Sequence, residues 1–241
     1  MCFRSCLCWV CLSVAVFIGG VSCASYLTPG GPADFSTFTD PKLKKAYRAR
    51  PAAKFPALIA LVRVQGAGYE NDETRGFGAG SYTVVTQEDI ADEDDVQRLV
   101  NLRGVQDVVR INRMLLPSAL VSDLEMRNAG AKLRTDLMLL YTFDTVFEDR
   151  DLLKPLTTIS LGLAPTKSFT AKSTASALVM DTRTGYIYAV LEESADRAGL
   201  ATAWGDSEAM QRARKASERE ALDKLLTDFE KTWPRVVRRH S

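Results

Sequence analysis

All five cysteines of the chain, Cys2, Cys6, Cys8, Cys11 and Cys23, lie within its first 23 residues, and the remaining nine-tenths of the sequence has none. A disulfide framework spreads its cysteines through the folded body, so this chain must bury an apolar core without covalent staples. One histidine, His240, stands next to last, which argues against His-based triads, histidine-rich metal sites and a histidine general base. Lysine and arginine total 31 against 30 aspartate and glutamate. No net field therefore draws the chain to nucleic acid or to an anionic surface. With 46% hydrophobic and 25% charged residues, the composition is that of a soluble globular domain.

The cysteine-rich start has its own logic. Arg4 is followed by an apolar run from Leu7 to Ile18, interrupted only by Ser13, and then by Gly19, Gly20, Val21 and Ser22. That is the three-part layout of a secretory signal, and the apolar run is shorter than the roughly 20 residues of a spanning helix. Gly20-Val21-Ser22-Cys23 resembles the lipobox of bacterial lipoproteins, with Gly20 where that family usually has leucine. The resemblance implies that residues 1–22 are a signal peptide and that Cys23 becomes the first, acylated residue. An ordinary signal cut nearby and an uncleaved anchor are the alternatives. Ala24 after the cysteine resembles the outer-membrane sorting pattern. The expected location is thus the bacterial cell envelope, lipid-anchored through Cys23 at the outer membrane and facing the periplasm. Several acyl chains on one residue, at about 0.8 kcal/mol per buried CH₂, hold such an anchor stably.

Residues 23–56 carry Pro29, Pro32, Pro41, Pro51 and Pro56, together with Lys42, Lys44, Lys45, Arg48 and Arg50. Proline fixes φ and removes donors, so this stretch reads as a tether. The body, residues 57–234, then alternates strand-like and helix-like segments, and residues 235–241 form a basic tail. Strands are expected at Ala57–Gln65, Ser81–Thr86, Asp107–Ile111, Asp136–Phe147 and Thr157–Leu163. A C-terminal hairpin is expected at Ala175–Asp181 and Tyr186–Leu191, with Gly185 supplying the positive φ of its turn. Helices are expected at Asp92–Leu102, Ala119–Leu133 and Ser207–Trp233. In the last, Leu222, Leu225, Leu226, Phe229 and Trp233 make one apolar stripe, and Pro234 is read as its end. The fold class is α/β (α+β): a single mixed sheet with an antiparallel C-terminal hairpin, flanked by about three helices.

Few motifs carry chemistry. Gly66–Gly80 is glycine-rich and follows a strand, but it leads into another strand, so no helix N-terminus is offered to a pyrophosphate; it reads as a mobile loop. The acidic cluster Glu88–Asp95 marks a helix start, and a calcium loop would need a glycine at its sixth position. Asp144, Glu148, Asp149 and Asp151 at a strand end leave a paired-carboxylate hydrolase open. Lys167 or Lys172 with Ser168 or Ser173, in a polar stretch Thr166–Thr174 read as an exposed turn, leaves Ser–Lys chemistry open. Trp204, Trp233 and Tyr82 read as packing residues. Phe143–Phe147 and Leu161–Ala164 are candidate contact surfaces, with core packing as the alternative.

Three segments resemble the α/β domain shared by the curli-secretion lipoprotein CsgG and the N-terminal region of TolB. They are the strand Leu58–Val64, the run Arg127–Tyr141 with its helix, corner and core strand, and Leu178–Tyr188, whose Asp181, Thr184, Gly185 and Ile187 are similar to that family's hairpin. Thr135 stands at the corner where the family has alanine. What the resemblance implies is an envelope protein working through protein contacts; channel formation is not carried over. The expectation is a non-enzymatic lipoprotein with no catalytic, metal or cofactor residues and unidentified envelope proteins as partners, without nucleic acid. An envelope enzyme and a small-ligand carrier are the rival readings.

Overall fold

The computed structural model describes residues 49–87, 90–151, 167–201 and 206–241. The signal segment, Cys23, most of the tether, Trp204 and the segments Thr157–Leu163 and Leu161–Ala164 lie outside the described residues. In chain order the elements are β1 (Ala57–Gly66), β2 (Ala79–Gly80), β3 (Tyr82–Val85), α1 (Glu93–Val100), β4 (Val105–Arg110), a 3₁₀ turn (Arg113–Leu115), β5 (Ala119–Leu120), α2 (Asp123–Lys132), β6 (Leu137–Asp151), β7 (Lys167–Asp181), β8 (Ile187–Ala201) and α3 (Asp206–His240). The fold is mixed α/β, with six strands in one sheet of order β3-β1-β6-β7-β8 and β4 also on β1.

The apolar run of β1 makes it an interior strand of the sheet, since all its residues but Leu58 are buried. One of its edges is shared. Ile59 and Leu61 lie opposite Val108 and Arg110 of parallel β4, whereas Val64 lies opposite Val84 of antiparallel β3. The other edge runs parallel to β6, with Leu61 opposite Leu139. From β6 onward the sheet is an antiparallel meander of three 15-residue strands. Alternation divides its side chains between two faces. Ile59, Leu61, Leu139, Tyr141, Phe143, Val179 and Leu191 pack beneath the stripe of α3 and Val96 and Leu99 of α1. Ala60, Val62, Val64, Met138, Leu140 and Met180 face Met126 and Ala129 of α2. Each large apolar side chain so buried contributes about 1.5–3 kcal/mol.

Local capping follows the sequence closely. Asp92 caps α1 and exchanges hydrogen bonds with Asp95 in a capping box; Ser122 and Glu125 do the same for α2. The helix expected from Ala119 begins only after Ser122, because Ala119 and Leu120 pair with β2 instead. Lys167–Thr174 is not a turn but the first half of β7, with Phe169, Ala171 and Ser173 inward and Lys172 outward. Pro234 lies inside α3, which continues to His240. The missing donor at Pro234 is tolerated because the last turns still bury Val236 and bring Val237 against Gly104. The Gly66–Gly80 segment folds back on β3 rather than standing free. Phe77 bridges Val84, Tyr69 is buried, and Asn71 Oδ1 accepts from the N–H groups of Glu73 and Thr74 at 2.9 and 2.7 Å.

The corner between α2 and β6 explains Thr135. Its hydroxyl lies 3.2 Å from that of Thr182 in the β7–β8 turn, both buried. Gly130 allows this approach, since a Cβ there would come within 2.8 Å of Thr135 Oγ1. Arg134, just before, has φ of 60°, a left-handed conformation that helix ends usually give to glycine. Arg134→Gly is expected to raise stability by about 0.5–1 kcal/mol, the relieved strain exceeding the added freedom of the unfolded chain. Urea denaturation of both proteins measures it.

Candidate functional site

A single cation interrupts the apolar run of β1. Arg63 shares a face with Leu61 and is 0% exposed, so its charge requires a buried counter-ion. Glu218 of α3, also 0% exposed, provides it, with Oε2 at 3.7 Å from Arg63 Nη2. The same oxygen accepts from Arg214 Nη1 at 2.6 Å, and Glu218 Oε1 accepts from the Thr145 hydroxyl at 3.0 Å. A chain of hydroxyls continues from there: Thr145 to Ser173 at 2.8 Å and Ser173 to Ser217 at 2.6 Å. Arg63 also donates to the Tyr69 hydroxyl at 3.0 Å and lies over the Tyr69 and Phe143 rings, 5.4 and 4.9 Å from their centroids. Two residues on, Gln65 extends the ladder with its side chain. Its Nε2 donates to Phe143 O and its Oε1 accepts from Phe143 N, both at 3.1 Å.

These polar groups are one junction between sheet and helix. A buried carboxylate contacted by two guanidinium groups and a hydroxyl fixes where the first half of α3 lies. The junction was open to prediction in one respect. Extending the α3 stripe backward from Leu222 by one and two turns reaches Glu218 and Arg214, so the stripe turns polar where it crosses Arg63. That the two ends meet is a matter of topology, which spacing alone does not supply.

The other candidate residues fall elsewhere. Asp144 and Glu148 lie four residues apart on β6, roughly 13 Å along the strand, beyond the span of a glycosidase carboxylate pair. Burial raises the Asp144 carboxyl above its ordinary value. The side chains of Asp149 and Asp151 lie outside the described residues. The register sets Asp144 opposite Thr174 but Asp151 opposite Lys167, which separates Asp144 from Lys167 by half the hairpin. Ser173 is inside the junction, while Lys172 is exposed on the opposite face, across from Asp196. Ser168 lies two strand positions from Thr170, opposite Leu200. Phe143 and Phe147 are core residues, not contact surface. Tyr82 is buried with its hydroxyl donating to Ser122 O at 2.8 Å, and Trp233 stacks on Phe229 at 5.3 Å. Among the described residues no group of three or more His, Cys, Asp and Glu side chains is placed to hold a metal ion, and no helix is long and apolar enough to cross a membrane.

Of the acidic cluster, Asp95 has a role beyond capping. It is buried, and Arg219 of α3 grips both its oxygens, Nη2 to Oδ1 at 2.8 Å and Nη1 to Oδ2. Burial alone would raise the Asp95 carboxyl, but the Arg219 hydrogen bond, with help from the Asp92 backbone and Arg98, holds it below the ordinary value. Arg98 reaches α3 in turn, at Asp223 and Glu230.

Among the described residues, spaces border the core on both faces of the sheet. Beneath α3, a gap of about 10 Å³ is lined by Leu61, Leu139, Tyr141, Leu222, Leu226 and Phe229, no more than a single water needs. On the other side, an open groove of about 680 Å³ runs between the 3₁₀ turn and α2, lined by Met114, Leu115, Leu116, Pro117, Glu125, Asn128, Ala131 and Lys132. Met114 is 86% exposed, and Val121 and Leu124, where the chain enters α2, are 57% and 52% exposed.

No protein-family model and no curated protein matches the chain. Among solved structures, it is similar to protein XCC0632 from Xanthomonas campestris, described under family-model DUF330, at 12% identity and a TM-score of 0.38 over 86% of this chain and 98% of that one. It is also similar to a PelC dodecamer from Paraburkholderia phytofirmans, at 13% identity and a TM-score of 0.28 over 74% and 93%. Likeness at this level carries no argument about activity or assembly.

Two outcomes test the polar contacts. Glu218→Gln takes from Arg63 and Arg214 the carboxylate they share and is expected to cost about 3–5 kcal/mol in urea denaturation, whereas Arg63→Met with Glu218→Leu costs less than the sum of the single changes. Asp95→Asn is expected to cost about 1–2 kcal/mol at neutral pH, Arg219 being partly solvated. Because the folded-state pKa of Asp95 is depressed, this wild-type advantage is complete above the unfolded value. It disappears as pH falls through the folded value, which a pH series of unfolding curves reads directly.

Proposed function

We propose that the protein is a non-enzymatic lipoprotein of the bacterial cell envelope, held to the membrane by acylated Cys23, whose α/β domain binds other envelope proteins as an assembly component. The observation that carries this reading is the Met114 groove. Met114, Leu115, Leu116, Pro117 and Ala131 line it with apolar side chains, Glu125, Asn128 and Lys132 add polar ones, and Met114 is almost wholly exposed. Clustered exposed apolar surface rimmed by polar groups is the ordinary signature of a protein contact, and a methionine at its most exposed point adapts to varied partners. The interior, by contrast, offers too little room beneath α3 for a carried ligand.

Two measurements bear on the reading. Growth on labelled palmitate is expected to label the wild-type protein and not Cys23→Ala. A photo-crosslinking amino acid at Met114 or Leu124, in cells, is expected to give a discrete adduct, weakened by Lys132→Glu. No adduct above background at Met114, Val121 and Leu124 would remove the protein-binding role.

A further inference from the structure

Where α3 ends, four separate stretches of chain converge. Ala52 and Ala53 donate their backbone N–H groups to Asp181 Oδ2 at 2.7 and 2.8 Å, tying the entering chain to the β7–β8 turn. Asp181 also accepts from Tyr188, whose hydroxyl pKa is pushed up to about 12, by burial first and then by this carboxylate. The Phe55 ring lies 5.7 Å from that of Trp233, and Trp233 Nε1 donates to Arg103 O at 3.1 Å. The His240 ring stands edge-on to Tyr188 and Tyr186, at 4.9 and 5.8 Å.

The surface of this end is cationic. It carries Arg50 and Lys54 from the entering chain, Arg103 from the turn before β4, and Lys231, Arg235, Arg238 and Arg239 from the last turns of α3, all exposed. Among the described residues none of these forms an ion pair; Arg235 donates only to the Thr232 hydroxyl. The carboxylates nearby are mostly taken. Asp136 holds Arg183, Asp123 holds Arg127, Glu230 holds Arg98 and Asp181 is buried. That leaves Asp107 exposed at the start of β4 and Asp228 half-buried on α3. The helix dipole accounts for cations in the last turn of α3, but not for Arg50, Lys54 and Arg103, which belong to other elements. In a chain whose formal charge is only +1, this is a pronounced asymmetry.

We propose that this end is the membrane-facing surface of the domain, where its exposed arginines and lysines bind the anionic phospholipid headgroups of the bilayer that holds Cys23. The proposal rests on the lipoprotein reading. The described chain enters the body here, at Ala49, and the stretch from Cys23 to that point can span at most about 90 Å. Covalent reach alone does not choose which side of the domain meets the bilayer; the charge selects one. Each cation close to an anionic surface raises partitioning about fivefold, and added salt, by shortening the Debye length, weakens it.

The test is sedimentation of the full chain with vesicles of phosphatidylcholine alone and of phosphatidylcholine mixed with phosphatidylglycerol. Wild-type protein is expected to partition more strongly onto the anionic vesicles, and less so as salt rises. R235Q/R238Q/R239Q is expected to lose at least about tenfold of that gain, with binding to neutral vesicles unchanged. R50Q/K54Q/R103Q, which leaves α3 intact, is expected to lose a similar share and guards against a folding defect in the first variant. A wild-type protein with no anionic gain, or a gain surviving in both variants, overturns the proposal. Palmitate labelling keeps the two readings apart. An unlabelled protein that retains the anionic gain overturns the anchor alone, and a labelled protein without the gain overturns the cationic surface alone.

Discussion

The position of one guanidinium governs much of this architecture. Arg63 stands in an interior strand, on the face that α3 must cover, and a bare charge there is not tolerated in an apolar interior. The helix therefore has to arrive with a carboxylate at that height, and Glu218 fixes both its register along the sheet and its rotation about its own axis. Once Glu218 is placed, the stripe from Leu222 to Trp233 falls over Leu61, Leu139 and Tyr141, and the capped start of α1 is drawn in by Arg219. A purely apolar contact of the same area would be as adhesive but less particular about register, the role best attested for buried ionic groups.

The same interaction shows what can and cannot be read from the chain. The apolar strands at β1, β3 and β4, the capped α1 and the hairpin at Gly185 follow from local pattern, and the elements lie where periodicity and turn chemistry set them. The polar half of β7 is harder. Thr170, Lys172 and Thr174 look like turn residues, and Ser173 looks like another, because its burial depends on hydroxyl partners from β6 and α3 that are distant in sequence. Pro234 misleads in the opposite way: a local rule predicts a helix end, and packing of Val236 and Val237 carries the helix past it. Arg63 and Glu218 were each visible as residues. Their meeting required the topology.

For function, sequence pattern offers an expectation at the amino-terminal start and little in the body. There Asp144 and Glu148 are held apart along β6, and Ser173 and Lys172 lie on opposite faces of β7. The groove at Met114 had no sequence signature, since Met114-Leu115-Leu116 reads equally well as a strand continuing inward. What exposes Met114 is the 3₁₀ turn capped by Asn112, which rotates that side chain away from the core.

The sheet order also bears on how the chain matures. β1 leaves the ribosome first among the described strands; β3 follows closely and pairs with its second half, but β4 and β6, which flank its first half, are synthesised later. At roughly 5–20 residues per second, the most apolar strand of the protein waits on the order of 4–16 s for β6 to follow it. α3, which supplies Glu218, follows later still. The β6 edge of β1 thus stays open through that interval, and the face that carries Arg63 is closed only once Glu218 has been made.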